Sequence, residues 1–336
     1  MAYIHVKKTG GKNYYTLRIS FRDKNGNILT KDLENLGNDL SKIKIDNLEK
    51  KYKKEIRDSY RTIKRFLQSN YYVDRIKAKK LEKNQYFGTQ DLNEIESTKL
   101  HYHSKFLKLD NKTKEEAFEV FLIKFAVSST SIEGNTISLK EATKLLNEQI
   151  VPKNKPLREI YDLQNTKKVF FDLLKNKQKL NLENIAKIHD QLLEGIDKRT
   201  GYRDHDINIL GQPFKPSPAR YVKADMNLLI KWYEQNKNIH PLALAILFHH
   251  KFESIHPFSD GNGRTGRILM NHILISNNYP PLIIPHKDRS DYLDAMNEAD
   301  KSLKNNLLNS DLKHYKTLFN FIIKNYKKTY WHNFLV

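Results

Sequence analysis

The sequence predicts a mainly α protein with a small β unit at its N-terminus. Three observations carry this. Apolar residues recur at three- and four-residue spacing along most of the 336 residues, a strand-and-turn pattern is confined to the first 37, and no proline precedes Pro152.

Taken in order, Tyr14 to Phe21 is rich in strand formers, and the Asp23-Lys24-Asn25-Gly26-Asn27 cluster supplies a turn. Ile28 to Leu33 returns as the partner strand, so residues 1–37 read as a β-rich module built on a hairpin. Between Gly37 and Gly88 there is neither Gly nor Pro. Ile45, Leu48, Tyr52, Ile56, Tyr60, Ile63 and Leu67 predict one amphipathic helix, and Val73, Ile76 and Leu81 a second one lying back on it. Residues 38–100 are therefore expected to form a helical arm, and residues 101–336 the main domain. There, Phe118, Phe121, Leu122 and Phe125 form an apolar stripe running into Ser128-Ser129-Thr130. Ser138 and Glu141 have capping-box spacing and open a helix. Asn181 to Leu193 predicts another, stopped at Gly195. Pro213, Pro216 and Pro218 mark an exposed segment.

Composition narrows the function classes. Hydrophobic residues make up 39% and charged residues 29%, ordinary for a globular chain. No apolar run approaches the roughly 20 residues that span a bilayer, and the first residues lack the apolar core of a secretory signal. With no cysteine, a disulfide scaffold, a thiolate zinc site and a cysteine nucleophile are all excluded. The expectation is a cytoplasmic protein with no membrane partner. The net charge is +20, and residues 1–87 hold +12 of it, with 22 basic and 10 acidic side chains. Such a region can bind nucleic-acid phosphates by counterion release. The alternative is a lysine-rich composition overall, since only 13 of the 59 basic residues are Arg.

The chemistry is concentrated in one segment. Leu242 to Phe252 predicts an apolar helix bearing His249 and His250, which read as packed or solvated histidines. It leads into His256-Pro-Phe-Ser-Asp-Gly-Asn-Gly-Arg-Thr-Gly-Arg267 and a second apolar helix, Ile268 to Ile275. A glycine-flanked loop feeding a helix N-terminus can aim several N–H groups at one anion, aided by the helix dipole. Arg264 and Arg267, three apart, reach one charged ligand. Asp260 offers a hard oxygen suited to Mg²⁺, and His256 is a candidate general base. These are the parts phosphoryl or nucleotidyl transfer requires.

His256 to Arg267 matches the Fic motif, HPFx[D/E]GNGRxxR, without a departure, and the resemblance runs from about residue 115 to about 305. It implies a Fic-type helical bundle with a small β-hairpin flap, and transfer of AMP from ATP to a protein hydroxyl. His256 would deprotonate a Ser, Thr or Tyr of the target protein, and Asp260 would hold Mg²⁺. Backbone amides of Gly261, Asn262 and Gly263 would cradle phosphate oxygens. Arg264 would bind the β-phosphate and Arg267 the γ-phosphate. Phe258 would anchor the loop. Gly263 stands where phosphorylating Doc-like relatives tend to have lysine. Gly201-Tyr202-Arg203 and Ile207-Asn208-Ile209 resemble the approach to the flap, and the segment Asp291 to Met296 the helix closing the nucleotide pocket. Leu293 and Asp300 sit where relatives line the base, often with an amide in place of Asp300.

Ser129-Thr130-Ser131-Ile132-Glu133-Gly134 matches the family's inhibitory pattern, [S/T]xxxE[G/N], upstream of the core. Glu133 would then pair with Arg267 and deny it to the γ-phosphate. The resemblance implies an autoinhibited adenylyltransferase that also modifies itself. It leaves open AMP removal by the same fold, a nucleic-acid-binding regulator with a nucleotide-sensing domain, and a homo-oligomer.

Overall fold

A computed structural model describes residues 1–176, 178–208, 215–303 and 306–335. They divide into two compact units, residues 1–101 and 102–334.

The first unit opens on an antiparallel sheet in the order β1 (Ala2–Thr9), β2 (Lys12–Arg22), β3 (Ile28–Gly37). The expected hairpin is β2–β3, whose turn is held by Asp23 Oδ1 accepting from the backbone N–H of Asn25 and of Asn27. β1 is a third strand that the sequence reading did not include. Its alternation of buried Ala2 and Ile4 with outward residues is short, and lysines follow at once. Ala2, Ile4, Tyr15 and Leu17 face a core completed by Leu40, Ile45, Leu48, Ile56, Ile63 and Leu67.

The helical arm differs from the expectation in its break points. One helix was expected from Ile45 to Leu67. Instead α1 (Ile45–Lys51) ends at Tyr52, α2 (Lys53–Ile56) is a single turn, and α3 runs Tyr60–Lys77. Val73 and Ile76 continue α3 rather than starting a returning helix, and Leu81 follows outside it. Packing explains the break: α1, α2 and α3 each send apolar residues into the sheet core, which one straight helix could not do over this length. α4 (Thr89–Ser104) spans the boundary of the two units.

The second unit is helical: α5 (Asn111–Ile132), α6 (Leu139–Glu148), α7 (Leu157–Lys175), α8 (Leu182–Leu192), α9 (Val222–Gln235), α10 (Pro241–Ile255), α11 (Asn262–Ser276), α12 (Arg289–Leu303) and α13 (Leu312–Asn333). The capping box of Ser138 and Glu141 forms as read, and Asn181 caps α8. α10 and α11 are buried nearly all round, which suits their near-continuous apolar sequence and makes them the centre of the bundle. Of the stretch from the flap approach at Ile207 to Pro218, residues 209–214 lie outside the described residues; 207–208 and 215–218 carry no strand. Among the described residues no helix is long and apolar enough to cross a membrane.

Candidate active site

The loop between α10 and α11 is fixed from three sides. α10 ends at His256, whose φ of +51° turns the chain left-handed, an uncommon conformation for a non-glycine residue. Arg203, buried, ties that end down: its Nε donates to His256 O at 2.8 Å, and its guanidinium also reaches the carbonyls of His205, Ser217 and Ile255. Asn262 staples the loop from the other end, accepting from Phe258 N at 2.9 Å and donating to Phe258 O at 2.8 Å. The fully buried Phe258 ring stacks on His189, with centroids 3.7 Å apart, and on Tyr202 at 5.2 Å. His189 Nε2 lies 3.0 Å from Asp260 O and its Nδ1 2.9 Å from Asp190 Oδ1. Burial holds the His189 pKa below the usual range against the pull of those acceptors. Gly261, at φ +75°, makes the turn into α11 that a side chain would strain.

His256 Nδ1 faces the Glu253 carbonyl at 3.2 Å and so carries the proton, which makes Nε2 the basic nitrogen. Burial lowers its pKa to about 4, so the ring is neutral at physiological pH. Glu253, beneath it, is pushed up to about 8, by burial first and then by the nearby Glu133 charge, against the pull of Arg267.

Arg267 is buried on α11. Its Nε donates to Ser129 Oγ at 3.0 Å, and its Nη2 to Ser129 O at 2.8 Å and Glu133 Oε1 at 2.7 Å. Burial disfavours the charge, but the Glu133 carboxylate holds the pKa above the usual guanidinium value. Ser129 and Glu133, first and fifth in their motif, thus both hold one guanidinium from the C-terminal end of α5. The approach passes close over Gly263: a Cβ there would overlap Glu133 Oε1 unless that side chain shifted, and would lie 2.9 Å from Arg267 Nη1.

His256, Gly263, Arg267 and Glu133 line one cleft. Its far end is walled by Leu293 and Met296 and holds Asp300, whose Oδ1 accepts from His250 Nε2 at 3.0 Å and Ser254 Oγ at 3.3 Å. Of the packed and solvated alternatives the structure shows the packed one: His250 and His249 are buried, on Tyr315 and Tyr292 respectively. Asp260 opens instead on the adjoining hollow beside Tyr202 and Arg199. Its Oδ2 pairs with Arg158 of α7, and its Oδ1 accepts from Gly261 N at 2.6 Å. Arg264 is buried and pairs with Asp162, with Asp260 at 3.4 Å. Burial raises the Asp162 pKa even against that cation.

Arg158, Asp162, His189 and Arg289, whose Nε donates to Ile132 O at 2.7 Å, were not singled out from the sequence. Each comes from a helix distant in sequence and carries no local motif. For His189 the one available signal was a histidine on the apolar face of an amphipathic helix.

Residues 179–274 match the family described as Fic/DOC. The chain is 32% identical over 203 residues to a protein adenylyltransferase Fic from Drosophila grimshawi, covering 56% of this chain and 40% of that protein. It is 33% identical over 198 residues to a probable protein adenylyltransferase from Aquifex aeolicus, covering 57% of each. The chain thus spans about two-fifths to three-fifths of the length of these curated relatives. In fold it is similar to a Fic domain-containing signaling protein from Bacteroides thetaiotaomicron, with TM-score 0.65 and 22% identity over 71% of this chain and 95% of that one. It is also similar to Fic-1 from C. elegans, residues 134–508, with TM-score 0.60 and 22% identity over 73% and 70%.

Proposed function

We propose that this chain, whose residues 179–274 match the Fic/DOC family, is a protein adenylyltransferase held off by its own Glu133. One observation carries the reading. A neutral histidine, a buried arginine and a competing glutamate line a single cleft, with the arginine bound to the glutamate at 2.7 Å.

In this reading ATP lies with its base toward Leu293 and Asp300 and its polyphosphate toward the N-terminus of α11. His256 Nε2 takes the proton of a target Ser, Thr or Tyr hydroxyl as that oxygen bonds to the α-phosphorus. The bond from the α-phosphorus to its bridging oxygen breaks, and pyrophosphate leaves with the electron pair. The polyphosphate charge beside His256 raises its proton affinity above that of the unliganded ring. Arg267 fixes the γ-phosphate, and so the line of attack, only when Glu133 lets go. Asp260 supplies one hard oxygen beside the anion site, the donor that Mg²⁺ takes when phosphate and water complete its shell. An ion held there would offset polyphosphate charge; in this structure Asp260 Oδ2 is paired with Arg158.

The test is incubation of the chain and a cell lysate with ATP labelled on the α- or on the γ-phosphate. Protein label from the α position alone supports adenylyl transfer. Label from the γ position means phosphorylation and contradicts the reading. Release of AMP from a modified protein by the wild type but not by Glu133→Gly would instead assign the chain to AMP removal.

A further inference from the structure

We propose that the tip of the N-terminal sheet is a two-stranded ribbon that enters the major groove of duplex DNA. The β1–β2 ladder continues past the end of β3. The pairs Lys7↔Tyr14, Lys8↔Asn13 and Thr9↔Lys12 have no third strand, because the β2–β3 ladder begins at Tyr15↔Gly37. Residues 6–14 are all exposed, so this extension has no core beneath it. A hairpin without packing is marginal in water, and a ribbon kept in that state is poised for a partner.

Its charge names the partner. No acidic side chain precedes Asp23, while Lys7, Lys8, Lys12, Arg18 and Arg22 all do. Arg18 is paired with Asp32 at 2.5 Å and Arg22 donates to Gly26 O at the opposite end of β2, so Lys7, Lys8 and Lys12 are the cations at the tip itself. Because side chains alternate along a strand, Lys7 and Lys12 stand on one face of the ribbon and Lys8 on the other. Cations on both faces suit a groove walled by phosphates on both sides. A lipid surface or an acidic protein face asks for cations on one side only; the exposed Tyr14 shares its face with Lys7 and Lys12, but Lys8 stands on the other. The dimensions agree. Three residue pairs extend about 10 Å at strand spacing, against a major groove about 8.5 Å deep that admits a two-stranded β ribbon. The Gly10-Gly11 turn, both residues at positive φ, keeps the tip narrow.

The test measures binding of the full chain to a fluorescent DNA duplex of about two helical turns, between about 50 and 200 mM salt. Each lost phosphate contact makes the log–log salt slope about 0.9 shallower, so Lys7→Gln/Lys8→Gln/Lys12→Gln should lower it by about 2.7, about fortyfold less affinity change across that range. Lys50→Gln/Lys53→Gln/Lys54→Gln, which removes the same charge from the exposed side of the arm, should leave the slope near the wild-type value. An RNA duplex of the same length should bind more weakly, because its major groove is too narrow for the ribbon. Equal slope losses in the two triple variants, equal affinity for both duplexes, stronger binding to anionic vesicles than to DNA, or no DNA binding would each overturn the proposal. Self-association of the ribbon variant with unchanged DNA binding would also overturn it, by assigning the lysines to protection of the sheet edge.

Discussion

Glu133 Oε1 stands 2.7 Å from Arg267 Nη2, and the same guanidinium donates twice more to Ser129. A buried arginine with its forked donors already engaged has little left for a phosphate. The half-exposed Glu133 side chain is the part of this arrangement that can leave without opening the core. Ser129, by contrast, is buried and keeps the arginine in place.

Arg267 is expected to act as a clamp rather than a point charge. Arg267→Lys should therefore retain only part of the transfer activity, since an ammonium cannot offer two parallel donors. In Glu133→Gly/Arg267→Ala the brake is gone, but so is the clamp. Rates of labelled AMP transfer should place this double variant with Arg267→Ala and not with Glu133→Gly.

Gly263 should be coupled to Glu133 in stability. A methyl there overlaps the glutamate carboxylate first, so Gly263→Ala should lower the melting temperature in the wild type and much less in the Glu133→Gly background. A double-mutant cycle read by calorimetry should give a coupling of about 0.5–3 kcal/mol. Additive effects would place the clash elsewhere.

His256→Ala should cut transfer about 10²–10⁴-fold while nucleotide binding persists. Because burial lowers the His256 pKa to about 4, the ring stays neutral from pH 5 to 8. A pH–rate profile of the free enzyme should then show no acid limb near the ordinary histidine value of 6.5. A limb at 6.5 that disappears with the histidine would contradict the burial argument.

Glu253 should tie stability to pH in the opposite sense from most carboxylates. Its folded pKa, about 8, lies above the usual 4.5, so the folded protein keeps a proton that the unfolded chain loses. Its contribution is full below pH 4.5 and falls as pH rises toward 8, by at most about 1.4 kcal/mol per unit. Glu253→Gln removes this dependence. By calorimetry the variant should match the wild type near pH 5 and exceed it at pH 8.

The α10–α11 loop was legible in the sequence because its parts are contiguous: base, glycines and arginines follow one another on one turn and one helix. Glu133 was legible for the same reason, through a motif of its own. What holds these residues was not. Arg158 and Asp162 on α7, His189 on α8 and Arg203 beyond it reach the loop only through the packing of the bundle. In the first unit, the spacing of Ile45 to Leu67 predicts one helix because no Gly or Pro interrupts it. The break at Tyr52 comes from the sheet that α1, α2 and α3 cover, which is long-range information. β1 escaped because two buried residues are too short an alternation to stand out beside two lysines.

Whether Arg267 is a clamp held off by Glu133 is decided by one comparison. The initial rate of AMP transfer from α-labelled ATP, with Mg²⁺ saturating, is measured for the wild type and for Glu133→Gly, each with and without His256→Ala. Glu133→Gly should exceed the wild type by at least tenfold, with label on the enzyme itself as the first sign, and His256→Ala should abolish the gain. Equal rates for the wild type and Glu133→Gly, with both folded and binding ATP, would show that the 2.7 Å pair is scaffold and not a brake.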